Sequence, residues 1–227
     1  MHKCCDGVSR ALAITIIISI VTADTDLPLH KALKARKADE DLLQLINLEA
    51  CQAKDPNGMT PLHIAAAWKA SEDVIAKLIE VWPDALKVHD SVLGVLPLHL
   101  AARDSASDAA VLQMLKAYPA DASEQDADGN LPLHRALVQK ASERTILRLL
   151  KANPAAVSHP NHALDLPLHM AAENKPSDVV INRLVDGFPE GLKTQSGSGH
   201  VPSALAHDER VKIALERAKA RLPKDEV

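Results

Sequence analysis

Leu131-Pro132-Leu133-His134 is the four-residue phrase from which the rest of the chain can be read. It recurs as Leu27-Pro28-Leu29-His30, Thr60-Pro61-Leu62-His63, Leu96-Pro97-Leu98-His99 and Leu166-Pro167-Leu168-His169, with a worn copy at Val201-Pro202-Ser203-Ala204. The intervals between successive prolines are 33, 36, 35, 35 and 35 residues. A period in the thirties carried through six copies is the mark of stacked repeats, each burying its apolar face against the next.

Around each phrase the same residue types return. Gly58, Gly94, Gly129 and Gly199 stand three residues before the proline, where a tight turn needs positive φ; Thr25 and Leu164 occupy that slot in the other two copies. Proline suits the first turn of a helix, where its missing N–H has no partner to lose. Ten residues on come Ser71, Ser107, Ser142 and Ser177, each followed by an acid, which predicts the capped start of a second helix; the first copy has Ala38 there. Apolar residues at 14, 17 and 18 after the proline form one stripe: Leu42, Leu45 and Ile46, then Ile75, Leu78 and Ile79, and so on to Ile181, Leu184 and Val185. Trp82-Pro83, Tyr118-Pro119, Asn153-Pro154 and Phe188-Pro189 end these helices, because the residue before proline is driven out of the helical region.

This pattern resembles the Thr-Pro-Leu-His signature of the ankyrin repeat, from about residue 24 onward. Leucine replaces threonine before most of the prolines, and the Gly-His usual between the family's two helices is missing. The resemblance implies an all-α, ankyrin-like α-solenoid of helix–turn–helix units joined by short β-hairpin loops. Units are expected to begin near residues 24, 57, 93, 128 and 163, with a capping unit over 198–227. In that last unit the histidine slot is Ala204, and Arg210, Lys212, Glu216, Arg217, Lys219 and Arg221 dress the side away from an apolar stripe, giving the polar face that a terminal repeat requires.

Residues 11–23, ALAITIIISIVTA, are uncharged and follow a short basic start. The run is too short for a transmembrane helix, which takes about 17 residues or more. Two readings stand: residues 1–23 are a secretory signal peptide cleaved near Ala23, which would make the protein a secreted effector or surface protein, or they are an apolar cap over the first unit of a cytoplasmic one. Cleavage would leave Cys51 as a lone thiol, so no disulfide framework is expected.

Aromatics make up 2% of the chain against 47% hydrophobic residues, so the core is aliphatic and a pocket walled by aromatics is not expected. A net charge of −4 with both signs interspersed carries no nucleic-acid footprint. His30, His63, His99, His134 and His169 recur once per unit, too far apart to share one metal ion, and are expected to bond backbone groups at the hairpin junction. Asp126, Asp128 and Gly129 suggest a calcium loop only faintly, since the glutamate such a loop needs downstream is missing. No nucleophile constellation or phosphate loop stands outside the repeats, and no stretch long enough for a catalytic domain is left over. The chain is expected to be a non-enzymatic monomer that uses no cofactor and binds a partner protein, with an accessory subunit of an enzyme complex as the remoter alternative.

By the same resemblance, partner contacts fall five, four and two residues before each proline and six and seven after it. Those positions nominate Asn57, Met59 and Trp68; Val92, Val95, Arg103 and Asp104; Asp128, Asn130 and Gln139; and Asp165, Glu173 and Asn174. They differ from unit to unit while Pro, Leu and His stay fixed. Trp68 and Arg103 are the expected anchors, as Trp and Arg dominate interface energetics; packing of Trp68 over a neighbouring helix is the competing assignment.

Overall fold

A computed structural model describes residues 27–103 and 108–222. These form thirteen α-helices and, among the described residues, no strand. The architecture is an α-solenoid. Each phrase opens a first helix: α1 (Pro28–Lys34), α4 (Pro61–Ala67), α6 (Pro97–Arg103), α8 (Pro132–Val138), α10 (Pro167–Asn174) and the short α12 (Pro202–Leu205). The second helices are α2 (Asp39–Leu45) with α3 (Leu48–Gln52), then α5 (Glu72–Val81), α7 (Asp108–Ala117), α9 (Glu143–Ala152), α11 (Asp178–Gly187) and α13 (Glu209–Arg221). First helices pack on first helices and second on second along the stack, so each unit is stabilised by its neighbours.

Small side chains let the first helices approach. Ala65, Ala66, Ala101, Ala102, Ala136, Ala171 and Ala172 are all at most 1% exposed. The second helices bury the expected stripe, including Ile75, Leu78, Val111, Met114, Ile146, Leu149, Ile181 and Leu184. Ser71, Ser142 and Ser177 accept from the backbone N–H of Val74, Thr145 and Val180 at 3.3, 3.0 and 3.4 Å, capping α5, α9 and α11. Ser107 lies outside the described residues, as do residues 1–23.

Three local features differ from the simple pattern. In the first unit the second helix breaks: Ile46 is extended, at φ −78° and ψ 111°, and Asn47 starts α3 by accepting from the Ala50 N–H at 2.9 Å. This unit alone has no proline to end its helix, and a side-chain cap inside the run competes with helix continuation. Secondly, the prolines after the second helices do more than stop them. They open 3₁₀ turns, Pro83–Lys87, Pro119–Ser123, Pro154–Ser158 and Pro189–Leu192, which seat buried residues against the next unit. Thirdly, where the family has glycine between the helices, Arg36, Lys69, Lys140 and Lys175 adopt left-handed backbone with φ of 51–58°. Exposed positions let these long side chains reach solvent, at a backbone cost of roughly 1 kcal/mol each.

Candidate partner-binding surface

The loops between units are each built around one short polar side chain, acidic or amide in four of them and the Ser196 hydroxyl in the last, which accepts from the His200 N–H at 3.3 Å. Asp55 Oδ1 accepts from the N–H groups of Asn57 and Met59, both at 3.0 Å. Asp126 Oδ1 does the same for Asp128 and Asn130 at 2.9 Å, and Asn161 Oδ1 for Ala163 and Asp165 at 3.0 and 2.9 Å. A short side chain that bonds its own backbone two and four residues on fixes the turn without strand pairing. Asp90 spans one residue more, accepting from Leu93 and Val95 at 3.2 and 2.8 Å. That extra residue accounts for the 36-residue interval and pushes Val92 out to 50% exposure.

Successive hairpins are tied edge to edge. Ser91, Ala127, His162 and Gly197 donate their N–H groups to the carbonyls of Asn57, Leu93, Asp128 and Ala163 at 2.8–2.9 Å. Pro56 holds the same place in the second unit and has no N–H, so the ladder's first rung is Ser91 to Asn57.

Histidines brace the hairpins to the helices. Nδ1 of His63, His99, His134 and His169 accepts from the N–H of the residue before its unit's proline, at 3.0–3.2 Å. A backbone N–H can only donate, so the ring proton is on Nε2. From there it reaches the following unit: His30 to the Met59 carbonyl at 3.0 Å, His63 to Val95 at 3.1 Å, His99 to Asn130 at 3.1 Å, and His169 to Thr194 at 3.0 Å and His200 at 3.2 Å. His134 is set the same way toward the Asp165 carbonyl, which favours its charged form, although its Nε2 falls outside strict hydrogen-bond geometry. Burial pushes the pKa of His63, His99 and His134 down to about 4, against the smaller raising effect of the carbonyls and, foremost for His99, of nearby Asp126.

This geometry sorts the nominated residues. Met59, Val95, Asn57 and Asn130 are 5, 2, 8 and 8% exposed, so they are corrected from contact residues to frame. Their side chains turn inward because their carbonyls receive the histidines or the hairpin ladder, and the amide of Asn130 is further held between Asp126 and Asn161 at 3.3 and 3.0 Å. Trp68 is half-buried in the core's margin with the Arg36 guanidinium 5.8 Å from its ring centroid, which joins the competing packing assignment to a cation–π contact. Arg103, Asp165, Glu173 and Asn174 are half-buried, Asn174 donating to the Met170 carbonyl at 2.9 Å. Val92, Asp128 and Gln139 are exposed, with Asp128 paired to Arg135 at 3.1 Å. Asp104 lies outside the described residues.

The surface also holds an apolar residue that the position rule passes over. Leu164 is 57% exposed and sits at φ 58° in the slot where other hairpins have glycine. Its sequence signal was that very replacement. Val138, at 38%, adds a third exposed apolar side chain from the end of α8. Among the described residues no group of three or more His, Cys, Asp or Glu is placed to hold a metal ion, and no helix is long and apolar enough to cross a membrane.

Residues 57–86, which carry the second unit's hairpin, both of its helices and most of the following turn, match the family model of the ankyrin repeat. The helical stack is consistent with that repeat along the described chain. A search of the curated proteins found no match.

Proposed function

We propose that this chain is a non-catalytic interaction module that holds a partner protein against its hairpin tips and the exposed ends of its first helices. Ankyrin repeats are generally protein–protein interaction modules and typically non-catalytic. The observation that carries the reading is a division of labour among residues. The recurring proline, leucine and histidine are spent on helix starts, core and inter-unit bonds, while exposed positions on the same loops carry Val92, Asp128, Gln139 and Leu164, which differ from unit to unit. Side chains the frame does not use are free to be selected by a partner.

Trp68 and Arg103 remain the proposed anchors, with the exposed Val92 as an apolar contact. The test is a pull-down from source extract with cross-linking, comparing wild type with a Trp68→Ala, Arg103→Ala, Val92→Ser variant at equal folded content. Loss of one partner by about 2 kcal/mol or more, roughly thirtyfold in affinity, supports the reading. Equal retention of every partner by the variant would place the contact elsewhere on the stack.

A further inference from the structure

In three of the four 3₁₀ turns the residue two after the opening proline is small: Ala85 and Ala156, at 2 and 1% exposure, and the buried Gly191. There is little room for more, since a Cβ on Gly191 would come within 3.1 Å of the Phe188 ring. In the turn Pro119–Ser123 this place is taken by Asp121, 1% exposed, and neither of its carboxyl oxygens has a hydrogen-bond partner. The turn packs against α8 and α9, so the carboxyl is enclosed at the junction of the third and fourth units. A buried carboxylate with no protein donor is costlier than the neutral acid.

Glu124, just beyond the turn, and Lys87, from the preceding turn, are the charges that act on Asp121, and they pull in opposite directions. Lys87 is already shared between Asp84 at 3.4 Å and the face of Tyr118, 4.7 Å from its centroid. The ionisable groups of the helices packed on the turn are engaged elsewhere or exposed. Asp108 of α7 meets Arg144, Ser142 and Thr145, and its carbonyl meets Arg148; Glu143 binds Ser177, Arg135 binds Asp126, and His134 faces the hairpin. Lys116 and Lys151 are solvent-exposed.

We propose that Asp121 makes the junction between the third and fourth units a proton-dependent joint, in which the neutral carboxyl keeps the Pro119–Ser123 turn seated on α8 and α9 and ionisation loosens it. Burial, reinforced by Glu124, raises the folded carboxyl's pKa from 3.8 to about 7. A group held above its unfolded value stabilises fully below that unfolded value and loses the contribution as pH climbs through the folded one. Loosening therefore develops between pH 3.8 and about 7 and is complete above it.

Hydrogen–deuterium exchange of the full chain at pH 5, 6, 7 and 8, corrected for intrinsic rates, tests this in wild type, Asp121→Ala and Asp121→Asn. Asp121→Ala restores the residue found in two sister turns, and taking differences from it removes the histidines' contribution. Wild-type amides of α8 and α9 should open on the order of tenfold or more readily at pH 8 than at pH 5, relative to Asp121→Ala. Asp121→Asn, which cannot ionise, should follow the alanine variant's pH profile even if it is less stable throughout. A wild-type-to-alanine difference that stays constant across this range overturns the proposal, as does an asparagine variant that keeps the wild-type slope.

Discussion

The Nε2 of His63 lies 3.1 Å from the carbonyl oxygen of Val95, while its Nδ1 takes the N–H of Thr60 at 3.1 Å, so one ring closes its own helix start and reaches the next hairpin. A second proton on that ring would set N–H against N–H. His99 shares both contacts, and the Nδ1 contact is kept in His134.

Acid should therefore unfasten the stack. For His63, His99 and His134 the folded pKa, about 4, lies below the ordinary value of 6.5; their contribution is full above 6.5 and is lost as pH falls toward 4. Each is worth on the order of 3 kcal/mol across that window, and three together outweigh the opposing Asp121. Urea midpoints measured from pH 7 to pH 4 should drop steadily, and a level profile would contradict the assignment.

Leu164→Gly should raise stability, by up to about 1 kcal/mol, because a left-handed leucine costs roughly 1–2 kcal/mol and glycine returns part of that gain as chain entropy. Thermal melts would show it directly. An unchanged or lower melting temperature would mean that Leu164 packs more firmly than its 57% exposure indicates.

Gly129→Ala runs the other way. Its φ is +74°, and a Cβ there would lie 2.6 Å from His162 Cδ2 and 2.9 Å from the His162 backbone nitrogen. That nitrogen is a rung of the hairpin ladder, donating to Asp128 at 2.9 Å. A loss of about 2 kcal/mol or more is expected in urea denaturation, larger than conformational strain alone.

Leu78→Ala should cost about 2–5 kcal/mol, since the side chain is 1% exposed within the second-helix stripe. Val92→Ser should change stability by no more than about 0.5 kcal/mol, as expected of a surface site. Denaturation of both variants would separate frame from surface, and comparable losses would erase that distinction.

Much of this frame is legible in the sequence because its determinants are local. A proline opens each first helix, a serine starts three of the described second ones, and a single extra residue in the third hairpin appears as an interval of 36 in place of 35. The direction of a side chain is another matter. Met59 and Val95 sit in loops and read as surface, yet they turn inward because a histidine from the preceding unit claims their carbonyls, a long-range contact that loop position does not encode. The left-handed Arg36, Lys69, Lys140 and Lys175 are not legible for a related reason: a missing glycine shows that something differs, but not that the backbone keeps its shape regardless. Ile46 read as the end of one helical stripe because nothing in apolar spacing reports that Asn47 caps a new helix.

Pro56 gives the stack a direction of failure. Every later hairpin is laced backward to its predecessor by a backbone bond, but this one has no hydrogen to offer, so the first unit is held on the second by side chains: the His30 bond to Met59, the Lys34 ion pair with Asp55 at 3.4 Å, Arg36 over Trp68 and apolar packing. Pulled from its amino end, the chain should part at that seam first, like a zipper whose last tooth was never cut.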